Sequence, residues 1–298
     1  MNGSEQTEDI SRQRSPNKGL YLIPSAFTAT NMAMGLYAIT LMFKGFQLLA
    51  NPTSVGSATA YFNSAAQAIL LAFIFDSLDG RIARATKTTT KIGLQLDSLA
   101  DMITFCVAPA VLVYVWSFGS VDKDNNLAKL GLFVSFFYIF SGAFRLSRFN
   151  IQGSRPRVLR EGSAKLDKKS FVGLPTPAAA ALIASIVYFA PTPLISYGAV
   201  ATYYSRLMVI LIACLSLLMI STLRYLSFKD VGFSGRLKVW VVLLFFALGV
   251  IIWFYSRSAS LILWSIYVLH GPVRRLGSAL RRQPQSSIEF VDDQQASG

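Results

Sequence analysis

The chain has 298 residues, 53% of them hydrophobic and 14% charged, with a mean hydropathy of +0.47 and a formal charge of +13. A water-soluble domain carries about a quarter charged residues, and here the apolar residues gather in long runs divided by short basic segments, which excludes a soluble globular reading. The basic surplus lies in those segments, so it argues against nucleic acid as a partner and suits orientation in a bilayer and contact with anionic lipid or phosphate.

Residues 1–20 are polar, mixed in charge and without a signal-peptide pattern, and they read as a disordered cytoplasmic tail. Apolar runs then predict spans near 21–43, 62–83, 95–118, 127–148, 172–190, 205–225, 237–255 and 258–271. The last two are short and divided only by Ser256 and Arg257, so a tight hairpin competes with one long tilted helix. The expected fold is therefore all-α, a polytopic transmembrane helical bundle of about eight spans. A membrane domain over 21–230 is followed by a hairpin over 231–272 and a disordered cytoplasmic tail over 273–298.

Basic residues mark alternate loops. The segment after the second span holds Arg81, Arg84, Lys87 and Lys91; the one after the fourth begins with Arg145 and Arg148 and runs on to Lys168 and Lys169. The intervening loops, near 44–61, 119–126 and 191–204, are poor in basic residues. Both termini are accordingly expected in the cytoplasm. Cys106 and Cys214 lie in apolar runs, which argues against a disulfide framework or thiolate site, and His270 is the only histidine.

From Phe75 the sequence reads FDSLDGRIARATKTTTKIGLQLDSLAD and ends at Asp101. Asp76 and Asp79 share a helix face at the end of the second span, as do Asp97 and Asp101 at the start of the third. A short loop makes the two spans antiparallel neighbours, which brings both pairs together. Four carboxylates facing one another must stay partly protonated or be held by cations. Carboxylate ligands without Cys or His suit Mg²⁺ or Mn²⁺, with Ca²⁺ as a third candidate, and a pair of ions is a common arrangement for phosphoryl displacement. Gly80, Ala83 and Gly93 lie between the pairs, where small residues let backbone or ligand approach, and Arg84 has the fork that grips phosphate. An alcohol becomes a competent nucleophile when a carboxylate takes its proton, and no Cys, His or triad is placed for a covalent intermediate, which favours direct in-line attack.

The pattern Asp76-x-x-Asp79-Gly80-x-x-Ala83-Arg84, eight residues, Gly93-x-x-x-Asp97-x-x-x-Asp101 resembles the signature of the CDP-alcohol phosphatidyltransferase family at all eight fixed positions. The resemblance implies a homodimeric helical enzyme of the cell's inner or plasma membrane, among membrane lipids, with its site open to the cytoplasm. It also implies that Asp76, Asp79, Asp97 and Asp101 hold metal and that Asp101 is the base toward the acceptor hydroxyl. Gly80, Ala83 and Gly93 would then make room for the CDP moiety, with Arg84 beside its phosphates.

Flanking segments narrow the resemblance to membrane-embedded phosphatidylserine synthases. They are Pro24–Asn31; Leu96–Asp101 running to Ala110, with Thr104-Phe105-Cys106 in place of the more usual Ser-Phe-Gly; Phe144–Asn150 with Phe171–Pro177; and Ser221–Lys229. The implied substrates are CDP-diacylglycerol and L-serine. Thr28 and Asn31 either satisfy the first helix at the interface or contact the nucleotide. Arg145, Arg148 and Asn150 are expected to face the site. Serine brings a carboxylate that a guanidinium would meet, and the same arginines could instead hold the lipid diphosphate. Two rivals stand beside this reading: the same transfer to another alcohol such as glycerol phosphate, and an ion-coupled transporter. Acids at the ends of two neighbouring spans, rather than at mid-membrane, disfavour the transporter.

Overall fold

A computed structural model describes residues 22–86, 91–119, 126–154, 170–226 and 257–280. Its helices are α1 (Leu22–Leu48), α2 (Val55–Thr86), α3 (Lys91–Asp101), α4 (Ala108–Phe118), α5 (Asn126–Ser154), α6 (Thr176–Phe189), α7 (Ala201–Ile220) and α8 (Arg257–Leu280). A π-helical segment, Met102–Val107, joins α3 to α4 in one continuous rod. Among the described residues five helices are long and apolar enough to cross a membrane: 26–48, 55–77, 92–118, 126–151 and 201–220. The expected span over 237–255, the tail over 1–20 and the loop over 155–169 lie outside the described residues.

Several boundaries differ from the hydropathy reading, many of them at basic or proline-bearing ends; α2 also begins earlier than expected, at Val55, and the sixth span covers Ala201–Ile220 rather than 205–225, with Arg224–Leu226 forming a strand. Helix α2 runs through Arg81 and Arg84, α3 opens at Lys91, and α5 carries Arg145 and Arg148 inside it rather than in a loop. Hydropathy ends a span at its first charges, yet arginine and lysine are good helix formers and the backbone continues past the apolar stretch. Helix α8 likewise reaches Leu280, so residues 273–280, expected in a tail, are helical. The fifth span starts later than expected. Ser170–Val172 form a strand, β1, and α6 begins only at Thr176, because Pro175 sits at the helix N-cap with extended ψ and Pro177 follows in the first turn.

The core is built on α6. Its Ala178–Ala184 run is almost wholly buried, and small side chains let α2, α4 and α8 close in on it. Helix α1 lies along α2 and α5 along α7. Large apolar side chains instead face outward from the peripheral helices, among them Phe43, Phe133, Phe136 and Leu217. In water that distribution would be unstable; against acyl chains it costs nothing.

A small antiparallel sheet closes the end of the bundle where the acidic residues lie. β1 pairs with β2 (Arg224–Leu226) in the register Ser170↔Leu226, Phe171↔Tyr225 and Val172↔Arg224. Tyr225 is fully buried and donates to Val268 O at 3.3 Å, tying the sheet to α8. Burial, reinforced by nearby Tyr267, pushes the Tyr225 phenol up to about 12, so it remains a neutral donor. Aromatic contacts carry the same connection across to α2: Tyr225 to Tyr267 at 6.0 Å, Tyr267 to Trp264 at 6.0 Å, and Trp264 edge-on to Phe73 at 4.9 Å.

Gly173 links β1 to α6 with φ +85, and its N–H donates to Leu223 O at 2.8 Å. An added Cβ there would meet backbone oxygens of Met219 and Ser221 and would come within 3.0 Å of Arg148 Nη2. Gly173→Ala should therefore cost at least ~1–2 kcal/mol from the left-handed backbone alone. A lowered melting temperature in detergent is the expected outcome; unchanged melting would show that the turn can relax.

Candidate active site

Asp76 sits near the C-terminal end of α2, and Asp97 and Asp101 stand one turn apart on α3. Each offers one carboxylate oxygen, and those oxygens all lie within 4.8 Å of one another. All three residues are half-buried. One acid near the end of α2 and two on α3 thus converge at one point of the bundle. Of the remaining signature positions, Asp79, Gly80, Ala83 and Arg84 belong to α2, but their side chains lie outside the described structure. Gly93 lies in the first turn of α3 and is half-buried.

Helix α1 supplies the next wall. Thr28 is buried and Asn31 completely so. Asn31 Nδ2 donates to Asp101 Oδ1 at 3.4 Å, while its Oδ1 is buried without a hydrogen-bond partner. A buried carbonyl oxygen left open beside three carboxylates adds an oxygen donor to the same end of the bundle. This all-oxygen set, lacking thiol and imidazole, fits a hard divalent cation.

The basic side of the site comes from α5. Arg145 is only 9% exposed, donates from Nη1 to Thr176 Oγ1 at 3.4 Å, and keeps a buried Nε with no hydrogen-bond partner. It lies within electrostatic range of Asp101, Arg148 and Tyr267. An arginine this deep needs a nearby anion, and Asp101 is one. Arg148 donates from Nη1 to Ile220 O, the last residue of α7, at 3.4 Å and lies against Gly173, so the end of α7 and the turn into α6 position it. Asn150 exchanges hydrogen bonds with Ser98: its Nδ2 donates at 2.9 Å and its Oδ1 accepts from the hydroxyl at 3.2 Å. Those bonds bind α5 to the helix that bears Asp97 and Asp101.

Ser98, Thr104, Tyr138 and Thr176 enter this network without having been singled out for it. Ser98 and Thr176 had a faint signal, as hydroxyls beside signature or proline positions. Thr104 and Tyr138 lie in apolar runs and are indistinguishable there from packing residues. Both cysteines are free, with Cys106 buried against Gly142 and Cys214 exposed.

A family model described as CDP-alcohol phosphatidyltransferase matches residues 21–212. A CDP-diacylglycerol–serine O-phosphatidyltransferase of Helicobacter pylori (strain ATCC 700392 / 26695) is 32% identical over 88% of this chain and 94% of its own length. A Methanocaldococcus jannaschii protein of the same name is 34% identical over 54% of this chain and 63% of its own length. An archaetidylserine synthase of Methanothermobacter thermautotrophicus is 34% identical over 58% and 62%.

Mn²⁺ titrated into the detergent-solubilised protein and followed by electron paramagnetic resonance should show saturable binding. Asp97→Asn, which removes one carboxylate charge from the cluster, should weaken it about tenfold or more. Equal binding by the variant and the parent would mean that the cluster does not hold the ion.

Proposed function

The chain belongs to the CDP-alcohol phosphatidyltransferase family, and from that premise we propose that it transfers the phosphatidyl group of CDP-diacylglycerol to the hydroxyl of L-serine, releasing CMP. The observation that carries the reading is the convergence of Asp76, Asp97 and Asp101 within the span that the family model matches. The choice of serine is supported by the name of the Helicobacter pylori relative, whose match covers most of both chains.

In this reading Asp101 accepts the proton of the serine hydroxyl as its oxygen attacks the phosphorus bearing the diacylglycerol. The new O–P bond forms as the bond from that phosphorus to the bridging pyrophosphate oxygen breaks, and CMP departs with that oxygen. Mg²⁺ or Mn²⁺, as one ion or two and with Ca²⁺ sharing the donor preference, held by Asp76, Asp79, Asp97 and Asp101, would neutralise the charge developing on the leaving phosphate. Gly80, Ala83 and Gly93 leave room for the CDP moiety, Arg84 lies beside its phosphates, and Thr28 with Asn31 closes the nucleotide side.

Arg145 and Arg148 take the two anionic partners of the reaction. The buried Arg145, beside Asp101 and with an open Nε–H, suits the acceptor carboxylate, since its reach brings the serine hydroxyl toward the base. Arg148, held at the end of α7, is left for the lipid diphosphate, and Asn150 holds the two helices in register. The alternation of basic loops supports a site and termini on the cytoplasmic face of the inner or plasma membrane. Apolar faces of the peripheral helices suit contact with membrane lipids and with a second copy in a homodimer.

Purified protein incubated with CDP-diacylglycerol, Mn²⁺ and labelled acceptors should release CMP with serine. Release with glycerol phosphate but not serine would overturn the acceptor, and no release with any alcohol would overturn the enzyme reading. Asp101→Asn should lower turnover at least about a hundredfold, the scale of lost general-base catalysis, while CDP-lipid binding persists. If binding falls as far as it does in Asp76→Asn, Asp101 is a ligand without the base role.

A further inference from the structure

Asp101 is the last α-helical residue before the π segment, and the sequence supplies the reason for the change of pitch. Pro109 has no N–H, so the carbonyl of Phe105 loses the donor that an α-helix would place four residues on. The helix widens instead: Ala108 N–H donates to Ile103 O, five residues back. Tyr138 of α5, fully buried, then donates its hydroxyl to Phe105 O at 3.1 Å.

Widening also redirects Thr104. In an α-helix a buried threonine hydroxyl commonly returns to the carbonyl four residues before it. Here Thr104 Oγ1 leaves its own helix and donates to Asn31 O on α1 at 3.0 Å, with both residues fully buried. The approach depends on Gly35, where an added Cβ would fall on the Thr104 side chain and backbone. Asn31 in turn donates from Nδ2 to Asp101. The chain of contacts closes on itself: Asp101 leads into the segment that carries Thr104, Thr104 grips Asn31, and Asn31 grips Asp101.

We propose that Thr104 is a positioning residue for Asp101, acting through Asn31, so that the π segment sets the orientation of the carboxylate that accepts the acceptor's proton. The proposal rests on the reading of Asp101 as the base. It divides the role of Asn31 between two atoms, with the amide N–H fixing Asp101 while Oδ1 is left open to a ligand. The hydroxyl of residue 104 matters here and not its bulk, since valine has the same shape and serine has the same donor.

The test compares Thr104→Val and Thr104→Ser in the serine assay and in hydrogen exchange. Thr104→Val should lower kcat about 10–100-fold, the usual cost of losing a group that orients a functional ligand, with KM for CDP-diacylglycerol unchanged. Thr104→Ser should restore most of that rate. Exchange at the α1 amides around Asn31 and Gly35 should quicken in Thr104→Val and not in Thr104→Ser, whatever substrate is present. A normal kcat in Thr104→Val, an equal defect in Thr104→Ser, or unaltered exchange in Thr104→Val would each overturn the proposal. Parent protein inactive with serine would overturn the acceptor reading instead, and the exchange result would still decide whether Thr104 braces Asn31.

Discussion

Carboxylate oxygens within 4.8 Å of one another repel by about 3–4 kcal/mol per pair in a medium of effective dielectric near 20. Two neighbouring helices supply groups that offset part of this repulsion at Asp101. Asn31 from α1 donates to Asp101. Arg145 from α5 brings a buried positive charge to the same carboxylate. What these groups do not neutralise suits a cation, which is how the proposed function accounts for an acidic cluster at this end of the bundle.

Holding those offsets in place requires helices that approach unusually closely. The alanine run of α6 lets three other helices share one axis of packing. Gly35 admits the π segment to α1, and Gly142 admits Cys106 to α5. Gly173, with its positive φ, turns the chain so that the small sheet and Arg148 sit together. The departure of Thr104-Phe105-Cys106 from the more usual Ser-Phe-Gly fits the same scheme. Cys106 is accommodated because its partner on α5 is a glycine, and the threonine retains the hydroxyl that serine would provide.

The last helix broadens the architecture beyond the span matched by the family model. Through Ser260 it shares a buried hydroxyl contact with Ser185 of α6. Through Trp264 and Tyr267 it connects Phe73, one turn before Asp76, to Tyr225 of the sheet. Helix α8 is thus a strut between α2, which bears Asp76, and the sheet, and its basic end, with Arg274 and Arg275, continues the helix past its apolar stretch.

Membrane residence, the acidic signature and the chemistry it admits were legible in the sequence, because each depends on composition or on spacing along one chain. Bilayer thickness sets the length of apolar runs, and helical pitch places Asp97 and Asp101 on one face whatever surrounds them. The helical extent of α5 and α8 was not legible, because hydropathy registers where charge begins and not where backbone hydrogen bonding ends. Nor could the sequence assign Arg145, whose depth follows from its contact with Thr176 on a helix that starts 31 residues later. Only the tertiary structure joined Thr104 to Asn31 across 73 residues of sequence. A hydroxyl in an apolar run has no periodicity of its own, so its partner is decided by which backbone lies opposite once Pro109 has widened the helix.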